Sequence, residues 1–190
     1  MILSYLRTGI AIATLSLLST VAAAAPAWKI IPSQSSLTFT ATQNNSPVSG
    51  KFKQFSGTIN FDPDQLSTSA INIVVDIASV STSYAEVGDT LKTPDWFDAK
   101  LFPQAVFKAT QFTKTGSNNY EAHGILTIRD KSIPVTLAFT LKEFPPTKAL
   151  ATGETTLKRN QFGLGKGEWA KTDEVKDDVK VDFVLSAQKI

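Results

Sequence analysis

Apolar and polar side chains alternate along most of the chain from Trp28 onward, with a period of two residues. Successive side chains of a β-strand point to opposite faces, so this alternation predicts strands with one apolar face and one wettable face. Turn-forming residues such as Asn44-Asn45-Ser46-Pro47 separate the alternating segments, and short connections favour antiparallel neighbours. The pattern predicts eight strands, over residues 36–42, 57–61, 71–78, 105–110, 120–129, 135–141, 151–158 and 179–186.

These eight strands predict an all-β fold that closes into an eight-stranded antiparallel barrel, because closure removes the exposed edges of an open sheet. One segment, residues 84–100, breaks the alternation and reads YAEVGDTLKTPDWFDAK. We predict a short helical insertion here, interrupted by Pro94 and followed by a second helical turn, lying across one mouth of the barrel. The apolar and acidic side chains between Asp89 and Phe97 are expected to form a lid over that mouth.

The N-terminal segment has the features of a cleaved secretory signal peptide. Arg7 is the only charged residue among residues 1–24, a short apolar run follows it, and small residues end in Ala22-Ala23-Ala24-Ala25. The run is too short and too interrupted by Ser and Thr for a good membrane span, which disfavours an uncleaved anchor. We therefore predict a signal peptide over 1–24, a mature single domain over 25–190 and a periplasmic location.

Charge and cysteine content narrow the functional classes. Loss of residues 1–24 removes Arg7 and leaves 18 basic against 17 acidic side chains. This balance lacks the basic excess of a nucleic-acid-binding protein, so no nucleic-acid partner is predicted. The chain has no cysteine, so an exported protein of this sequence depends on its core or on a bound molecule rather than on disulfides.

The sequence offers few catalytic or metal-binding side chains. His123, the only histidine, has outward parity in its strand and lacks the cysteine or second histidine of a metal site or nucleophile pair. Asp89, Asp95 and Asp98 lie close in sequence, but their spacing matches no calcium loop, and the last two are expected to cap helix ends or to accept backbone N–H bonds. The glycines of residues 163–167 lack the context of a dinucleotide fingerprint and are interpreted as a turn between the last two strands. We therefore predict no metal site and no catalytic residue.

The inward positions combine bulky and small side chains, which leaves two interpretations of the interior. An eight-stranded barrel lies between a filled core and a cavity for one small ligand. In the first interpretation the inward residues form an ordinary packed core. In the second, small inward residues keep the axis open for a slender chain, and strand parity predicts the tunnel lining: Phe39, Phe61, Ile73, Val75, Leu91, Trp96, Phe97, Phe107, Ala109, Ala122, Leu126, Leu137, Phe139 and Phe183.

A series of short motifs runs from Trp28 to about Ala187, and their order and spacing are more specific than any one of them. They are Trp28-Lys29-Ile30, Ser35-Ser36, Phe39, Gly50-Lys51-Phe52, Phe55, Gly57, Ile59, Phe61-Asp62-Pro63, Ser79-Val80, Thr82, Asp89, Leu91, Asp95-Trp96-Phe97, Phe102 to Phe107, Gly124, Leu126-Thr127-Ile128, Pro134-Val135, Arg159 and Phe162-Gly163. In this order they resemble the YceI-like family of periplasmic lipid- and polyisoprenoid-binding proteins.

The resemblance implies a lipocalin-like barrel with a long internal tunnel. It also implies a non-covalently bound isoprenoid lipid, such as a quinone tail or a polyprenyl chain, and no covalent cofactor. The segment from Phe162 to Trp169 resembles the branch often found with cytochrome b561-type membrane proteins, which implies such a partner, and a homodimer is kept as a candidate assembly. A family without agreed catalytic residues implies a carrier that is not an enzyme.

Three alternatives stand beside the lipid carrier. One is a non-catalytic, stress-related barrel with a packed core and no ligand. Another is an outer-membrane barrel, which would show the same alternation with its faces inverted, although three Trp and three Tyr are few for two aromatic girdles. The third is an enzyme, which the shortage of catalytic side chains disfavours.

Overall fold

The computed structural model describes residues 24–144 and 146–190, so the signal peptide predicted over 1–24 lies, except for Ala24, outside the described residues. Within these residues the chain forms eleven strands, one α-helix and five short 3-10 helices. The strands are β1 (Ala27–Ile30), β2 (Ser36–Gln43), β3 (Ser46–Phe52), β4 (Phe55–Asn60), β5 (Ala70–Asp76), β6 (Val80–Thr82), β7 (Gln104–Lys114), β8 (Asn119–Ile128), β9 (Lys131–Glu143), β10 (Lys148–Lys158) and β11 (Asp178–Lys189). The α-helix is α1 (Ala85–Leu91), and the 3-10 helices are Pro32–Gln34, Leu66–Thr68, Ile77–Ser79, Arg159–Phe162 and Gly167–Ala170.

The strands close into an eight-stranded antiparallel barrel, which confirms the predicted fold class. Pairing runs in the order β1-β4-β5-β7-β8-β9-β10-β11, and β11 pairs back with β1, where Ile30 lies opposite Ala187. Three of the eight barrel strands consist of two segments each, namely β1 with β2, β3 with β4, and β5 with β6. The 3-10 helix Pro32–Gln34 interrupts the first, Lys53-Gln54 the second, and the 3-10 helix Ile77–Ser79 the third.

The two ends of the barrel are covered differently. At one end, called the helix end below, residues 83–103 and residues 159–177 connect the strands and lie over the opening. At the other, called the plug end, lie the start of β1, the short connections 61–69 and 115–118, and residues 144, 146 and 147. Longer polypeptide therefore covers the helix end, while side chains must close most of the plug end.

Only the first half of the helix predicted near 84–100 forms. The helix α1 ends at Leu91, and the chain then passes through successive turns instead of a second helical turn. The N–H groups of Phe97, Asp98 and Ala99 donate back to the carbonyls of Leu91, Thr93 and Lys92, at 3.0, 2.8 and 3.0 Å. Pro94 lacks a backbone N–H, and Asp98 has a φ of 50°, so neither residue continues a regular helix.

The apolar strand faces point into the barrel. Val181 and Phe183 of β11 line the interior, whereas Lys180 and Asp182 point outward and form an ion pair at 3.1 Å. This orientation is the opposite of the one that the outer-membrane alternative requires. Separately, among residues 24–144 and 146–190 there is no helix with the length and apolar character needed to cross a membrane.

Candidate functional site

An apolar cavity of about 410 Å³ occupies the barrel axis. It extends from Trp28, Phe61 and Phe144 at the plug end to Leu91 and Trp96 at the helix end. Cavities that bind small molecules are commonly about 300–1,000 Å³ in volume and mostly apolar. The interior is therefore not a filled core, and its size and chemistry are those of a ligand site.

Three phenylalanine rings pack over glycines of the barrel wall. An alanine Cβ placed at Gly50, Gly124 or Gly153 would lie 2.7 Å from a ring carbon of Phe39, Phe107 or Phe183, respectively. Phe39 and Phe183 are directly opposite their glycines on the neighbouring strand. Because each glycine leaves room at the wall, its ring occupies that room and does not stand in the lumen.

Aromatic side chains close the plug end. The ring of Phe61 packs edge-on against Phe112, Tyr120, Phe139 and Phe144, with ring centroids 5.5–6.5 Å apart. Edge-to-face pairs at this spacing are favourable beyond the area they bury. Trp28 joins the group by packing on Phe144 at 5.0 Å, and its indole N–H donates to the Phe61 carbonyl at 3.0 Å. We call these six residues the aromatic plug.

Polar side chains enter the cavity wall mainly at the helix end. The polar lining residues are Ser36, Gln43, Thr90, Thr155 and Arg159. Gln43 ends β2, and Thr90 lies in α1. Thr155 lies in the second half of β10, and Arg159 directly follows that strand. Ser36, at the start of β2, is the one member away from this end. The cavity thus changes from aromatic at the plug end to partly polar at the helix end.

Arg159 is a buried cation in this lining, with 2% of its surface exposed. Its guanidinium donates to the carbonyls of Leu164, Lys171, Val175 and Lys176 at 2.8–3.1 Å. Within the described residues no carboxylate oxygen lies within 4 Å of it. Burial lowers the pKa of Arg159, and the Asp177 carboxylate at longer range opposes that shift. The guanidinium thus joins residues 164–176 to the end of β10 and leaves a positive charge without an ion-pair partner beside the cavity.

Trp96 stacks on this cation. The guanidinium carbon of Arg159 lies 5.6 Å from the centroid of the Trp96 ring, and the ring centroids of Trp96 and Trp169 lie 6.1 Å apart. Trp96 is 9% exposed, and among the described residues its buried Nε1 has no hydrogen-bond partner. A buried donor left unpaired costs about 1–3 kcal/mol, so this end of the site has an unused polar group.

Arg129 holds the Trp96 segment in place. Its guanidinium donates to the carbonyls of Pro94 and Gly163 at 2.9 and 3.4 Å, and also to the carbonyl of Trp96. The N–H groups of Gly165 and Lys166 donate to the Asp95 carbonyl at 2.8 and 2.9 Å. The two segments that cover the helix end are therefore bonded to each other and to the β8–β9 turn.

The structure brings almost all the predicted lining residues together. Thirteen of the fourteen line the cavity: Phe39, Phe61, Ile73, Val75, Leu91, Trp96, Phe97, Phe107, Ala122, Leu126, Leu137, Phe139 and Phe183. Ala109 does not; it is 2% exposed and packs in a cluster with Phe107 and Ala122. The expectation that small inward residues such as Ala109 border open space is therefore wrong at that position, because neighbouring side chains cover it. Whether the thirteen bind a ligand stays a prediction.

Sequence parity missed the lining residue Phe112 and the supporting residue Arg129 for identifiable reasons. Phe112 lines the cavity although simple alternation from Ala109 would place it outside. The register between β7 and β8 shifts between Ala109 and Gln111, which moves the inward side chains to even numbers. Arg129 lies just past β8 with a φ of 55°, and alternation gives no signal for its role.

The candidate catalytic residues lie elsewhere. His123 is on the outer face of β8, where its ring nitrogens contact the hydroxyls of Thr113 and Thr136 at 3.2 and 3.1 Å. Asp89 pairs with Lys92 at 3.1 Å, and no cluster of three metal-ligating side chains occurs in the part of the chain that the structure describes. The 163–167 segment lies between β10 and β11 as expected, and Gly165, with a φ of 81°, leaves space for Arg159.

Sequence comparison finds relatives among UPF0312 proteins of Vibrio and Pseudomonas. A family model described as a YceI-like domain matches residues 28–187. A UPF0312 protein of Vibrio parahaemolyticus is 31% identical over 90 residues, which are 47% of this chain and 48% of that protein. A UPF0312 protein of Pseudomonas savastanoi pv. phaseolicola is 29% identical over 131 residues, which are 66% of this chain and 68% of that protein. The chain therefore spans about half the length of the Vibrio relatives that it matches.

Solved structures share the barrel. BcnA of Burkholderia cenocepacia has a TM-score of 0.79 and 32% identity, covering 83% of this chain and 98% of that one. A Campylobacter jejuni YCEI protein has a TM-score of 0.66 at 24% identity, covering 74% and 84%. A polyisoprenoid binding domain of Saccharophagus degradans, implicated in plant cell wall breakdown, has a TM-score of 0.69 at 14% identity, covering 87% and 99%. The last two likenesses show the fold.

Proposed function

The chain belongs to the YceI-like family, and we propose from its cavity that it binds a long isoprenoid lipid non-covalently inside the barrel. The observation that carries the proposal is the continuous apolar cavity between the aromatic plug and α1. An ordinary packed core would leave no space of this size, since protein interiors contain few voids larger than a water molecule. The Saccharophagus neighbour, which is a polyisoprenoid binding domain, supports the choice of ligand.

The energetics favour a long chain over a short one. Each methylene moved from water into an apolar cavity contributes about 0.8 kcal/mol, so ten would contribute about 8 kcal/mol. Association costs an estimated 4–15 kcal/mol in lost freedom, which a short chain would not offset. A slender prenyl or quinone tail that runs along the axis buries many carbon atoms in this way. A wide ring system would clash with the phenylalanine rings that line the cavity.

The proposal also includes a location and a role. We place the protein in the periplasm because of the signal peptide predicted over residues 1–24. There it would carry or sequester lipid rather than catalyse a reaction, and His123 lies on the outer face away from the cavity. A cytochrome b561-type membrane partner and a homodimer are further proposals that come from the sequence resemblance.

Extraction of lipid from the purified protein tests this function. The full chain would be expressed with its own N-terminus, purified from the periplasmic fraction, extracted with organic solvent and analysed by mass spectrometry. We expect a prenyl-chain lipid at close to one molecule per protein. Added long-chain prenol should raise the Tm of the delipidated protein. At a prenol concentration of about a hundred times Kd, the added stability is about 2.7 kcal/mol. An added sterol should leave Tm unchanged. No extractable lipid and no shift with prenol would instead support the packed, ligand-free barrel.

A further inference from the structure

The cavity has opposite chemical character at its two ends. At the plug end its wall is aromatic, and the one indole N–H there, that of Trp28, is already bonded to the Phe61 carbonyl. At the helix end the wall includes Gln43, Thr90, Thr155 and Arg159. An extended ligand with one polar and one apolar terminus therefore has a preferred direction in this barrel.

Arg159 gives the helix end a specific preference for oxygen acceptors. A guanidinium has five N–H groups, and four carbonyls accept from Arg159, so one donor remains within the described residues. Those carbonyls are dipoles and not charges, and the guanidinium has no carboxylate partner within 4 Å in residues 24–144 and 146–190. The unpaired Nε1 of the stacked Trp96 adds a second donor at the same place. An oxygen with partial or full negative charge would complement both donors, and a hydrocarbon terminus would complement neither.

We propose that the lipid lies in the barrel with its tail on the aromatic plug and an oxygen-bearing head group at Arg159 and Trp96. This head-group site rests on the proposed lipid-binding function and specifies which end of the ligand lies where. A quinone carbonyl, a prenol hydroxyl and a prenyl phosphate share the required chemistry, since each offers an oxygen acceptor. The bonds from Arg159 to residues 164–176 hold the site together and are compatible with this role, because the remaining N–H is free for the ligand.

The three tryptophans report the orientation without any change to Arg159. Trp28 lies in the aromatic plug, whereas Trp96 and Trp169 lie at the helix end. The probe is decylubiquinone, whose quinone ring quenches indole fluorescence at short range. Two proteins are compared: Trp28→Phe, which keeps both helix-end reporters, and Trp96→Phe with Trp169→Phe, which keeps only Trp28. Because Trp96→Phe also removes a proposed head-group donor, both proteins are measured at saturating probe, and native mass spectrometry gives the bound fraction of each. We expect the bound probe to quench the first protein several times more strongly than the second. Equal quenching, or stronger quenching of Trp28, overturns the orientation.

Binding is measured separately by native mass spectrometry, so that two failures can be told apart. A wild-type protein that binds neither decylubiquinone nor a long prenol contradicts the proposed function, and the orientation falls with it. If the wild-type protein binds the probe, and Trp28 is quenched at least as strongly as the helix-end tryptophans in the two variants, only the orientation is contradicted.

A second measurement tests the head-group contacts. Trp96→Phe keeps an aromatic ring and removes the unpaired indole N–H, and Trp169→Phe is the matched control because it replaces the neighbouring indole. We expect Trp96→Phe to weaken decylubiquinone binding by about two- to tenfold, which is the scale of one hydrogen bond, and to leave decylbenzene binding unchanged. Arg159→Gln should weaken decylubiquinone binding more, and Trp96→Phe remains informative if Arg159→Gln does not fold. An equal effect on decylubiquinone and decylbenzene, or an equal effect of Trp169→Phe, would overturn the site. Tighter binding of prenyl phosphate than of prenol would identify the head as anionic.

Discussion

Replacing Gly50 with alanine forces the ring of Phe39 off the barrel wall. The added Cβ would lie 2.7 Å from Cε1 of that ring and 3.0 Å from the Ser81 carbonyl oxygen. A carbon–carbon contact of 2.7 Å is too short, so the ring must move. The strands of the wall block it on the other sides, so we expect it to move into the lumen. Phe39 is 9% exposed and also packs on Phe52, with ring centroids 5.8 Å apart. The substitution therefore disturbs the packing and narrows the cavity together.

The expected size of the effect follows from two opposing contributions. Overpacking of a well-packed site costs about 1–3 kcal/mol. Removing a glycine restricts the unfolded chain and returns about 0.4–1 kcal/mol. We expect a net loss of about 1–2 kcal/mol for Gly50→Ala, which lowers Tm by about 2–8 °C for a chain of this length. Lipid retention should fall as well, because the displaced ring occupies part of the lumen.

The assay compares delipidated and lipid-loaded protein, because bound lipid itself raises apparent stability. Thermal unfolding followed by circular dichroism gives Tm, and mass spectrometry of extracts gives lipid per protein. Gly88→Ala in α1 is the matched control, since an alanine Cβ there meets nothing nearer than 3.8 Å and should leave Tm unchanged or slightly higher. Adding Phe39→Leu to Gly50→Ala should recover part of the lost stability, and the double-mutant cycle measures their coupling.

A clear result would refute the reasoning. If Gly50→Ala melts with the wild type and retains a full complement of lipid, the absence of a Cβ at Gly50 does not position Phe39. If it loses stability and the double variant loses the sum of the two single losses, the clash lies in the backbone near Ser81 and not in the ring.

Four further predictions concern the lumen, the lid and the N-terminus. Leu137→Phe should displace lipid with little loss of unliganded stability, because Leu137 is half-buried at the cavity. Ala122→Phe, at the paired position of the neighbouring strand, should cost about 1–3 kcal/mol of stability because Ala122 is 1% exposed. Measurements of Tm and lipid content for both variants check this. Phe61→Leu opens the aromatic plug and should shift binding toward longer prenols in a native mass-spectrometric competition, and an unchanged length preference would show that Phe61 is not the floor of the cavity. Amides of residues 89–97 should exchange more slowly with lipid bound, and equal exchange with and without lipid would argue against a lid. The periplasmic protein should begin near Ala25 on N-terminal sequencing, and retention of residues 1–24 would contradict the signal peptide.

The barrel and most of its lining could be predicted because both follow from a period of two. In β11, for example, the alternation of Val181 and Phe183 with Lys180 and Asp182 assigns each side chain to a face, and the structure keeps that assignment. The same rule has a limit wherever a strand is not regular. The shift between Ala109 and Gln111 moves Phe112 inward, and a local pattern contains no signal for that shift.

The helix end could not be predicted because its contacts join residues far apart in sequence. Arg129 reaches the carbonyls of Pro94 and Gly163, about 35 positions away in each direction. Arg159 donates hydrogen bonds to carbonyls of a segment that has neither helical nor strand periodicity. Such bonds depend on where the backbone passes in three dimensions, so a motif marks Arg159 without showing that it is buried beside the cavity.

The number of phenylalanines alone does not show whether a barrel is open or filled, but the glycines beside them give further information. A ring with no glycine beside it in the wall projects further inward and fills more of the lumen. A ring opposite a glycine can lie along the wall, as Phe39 and Phe183 do over Gly50 and Gly153. The protein thus gains the apolar surface of a large side chain while keeping its axis open, and the wall becomes smooth toward a slender ligand. Because the pairing depends on register, a one-residue slip would place each ring opposite an outward-facing neighbour and remove both effects.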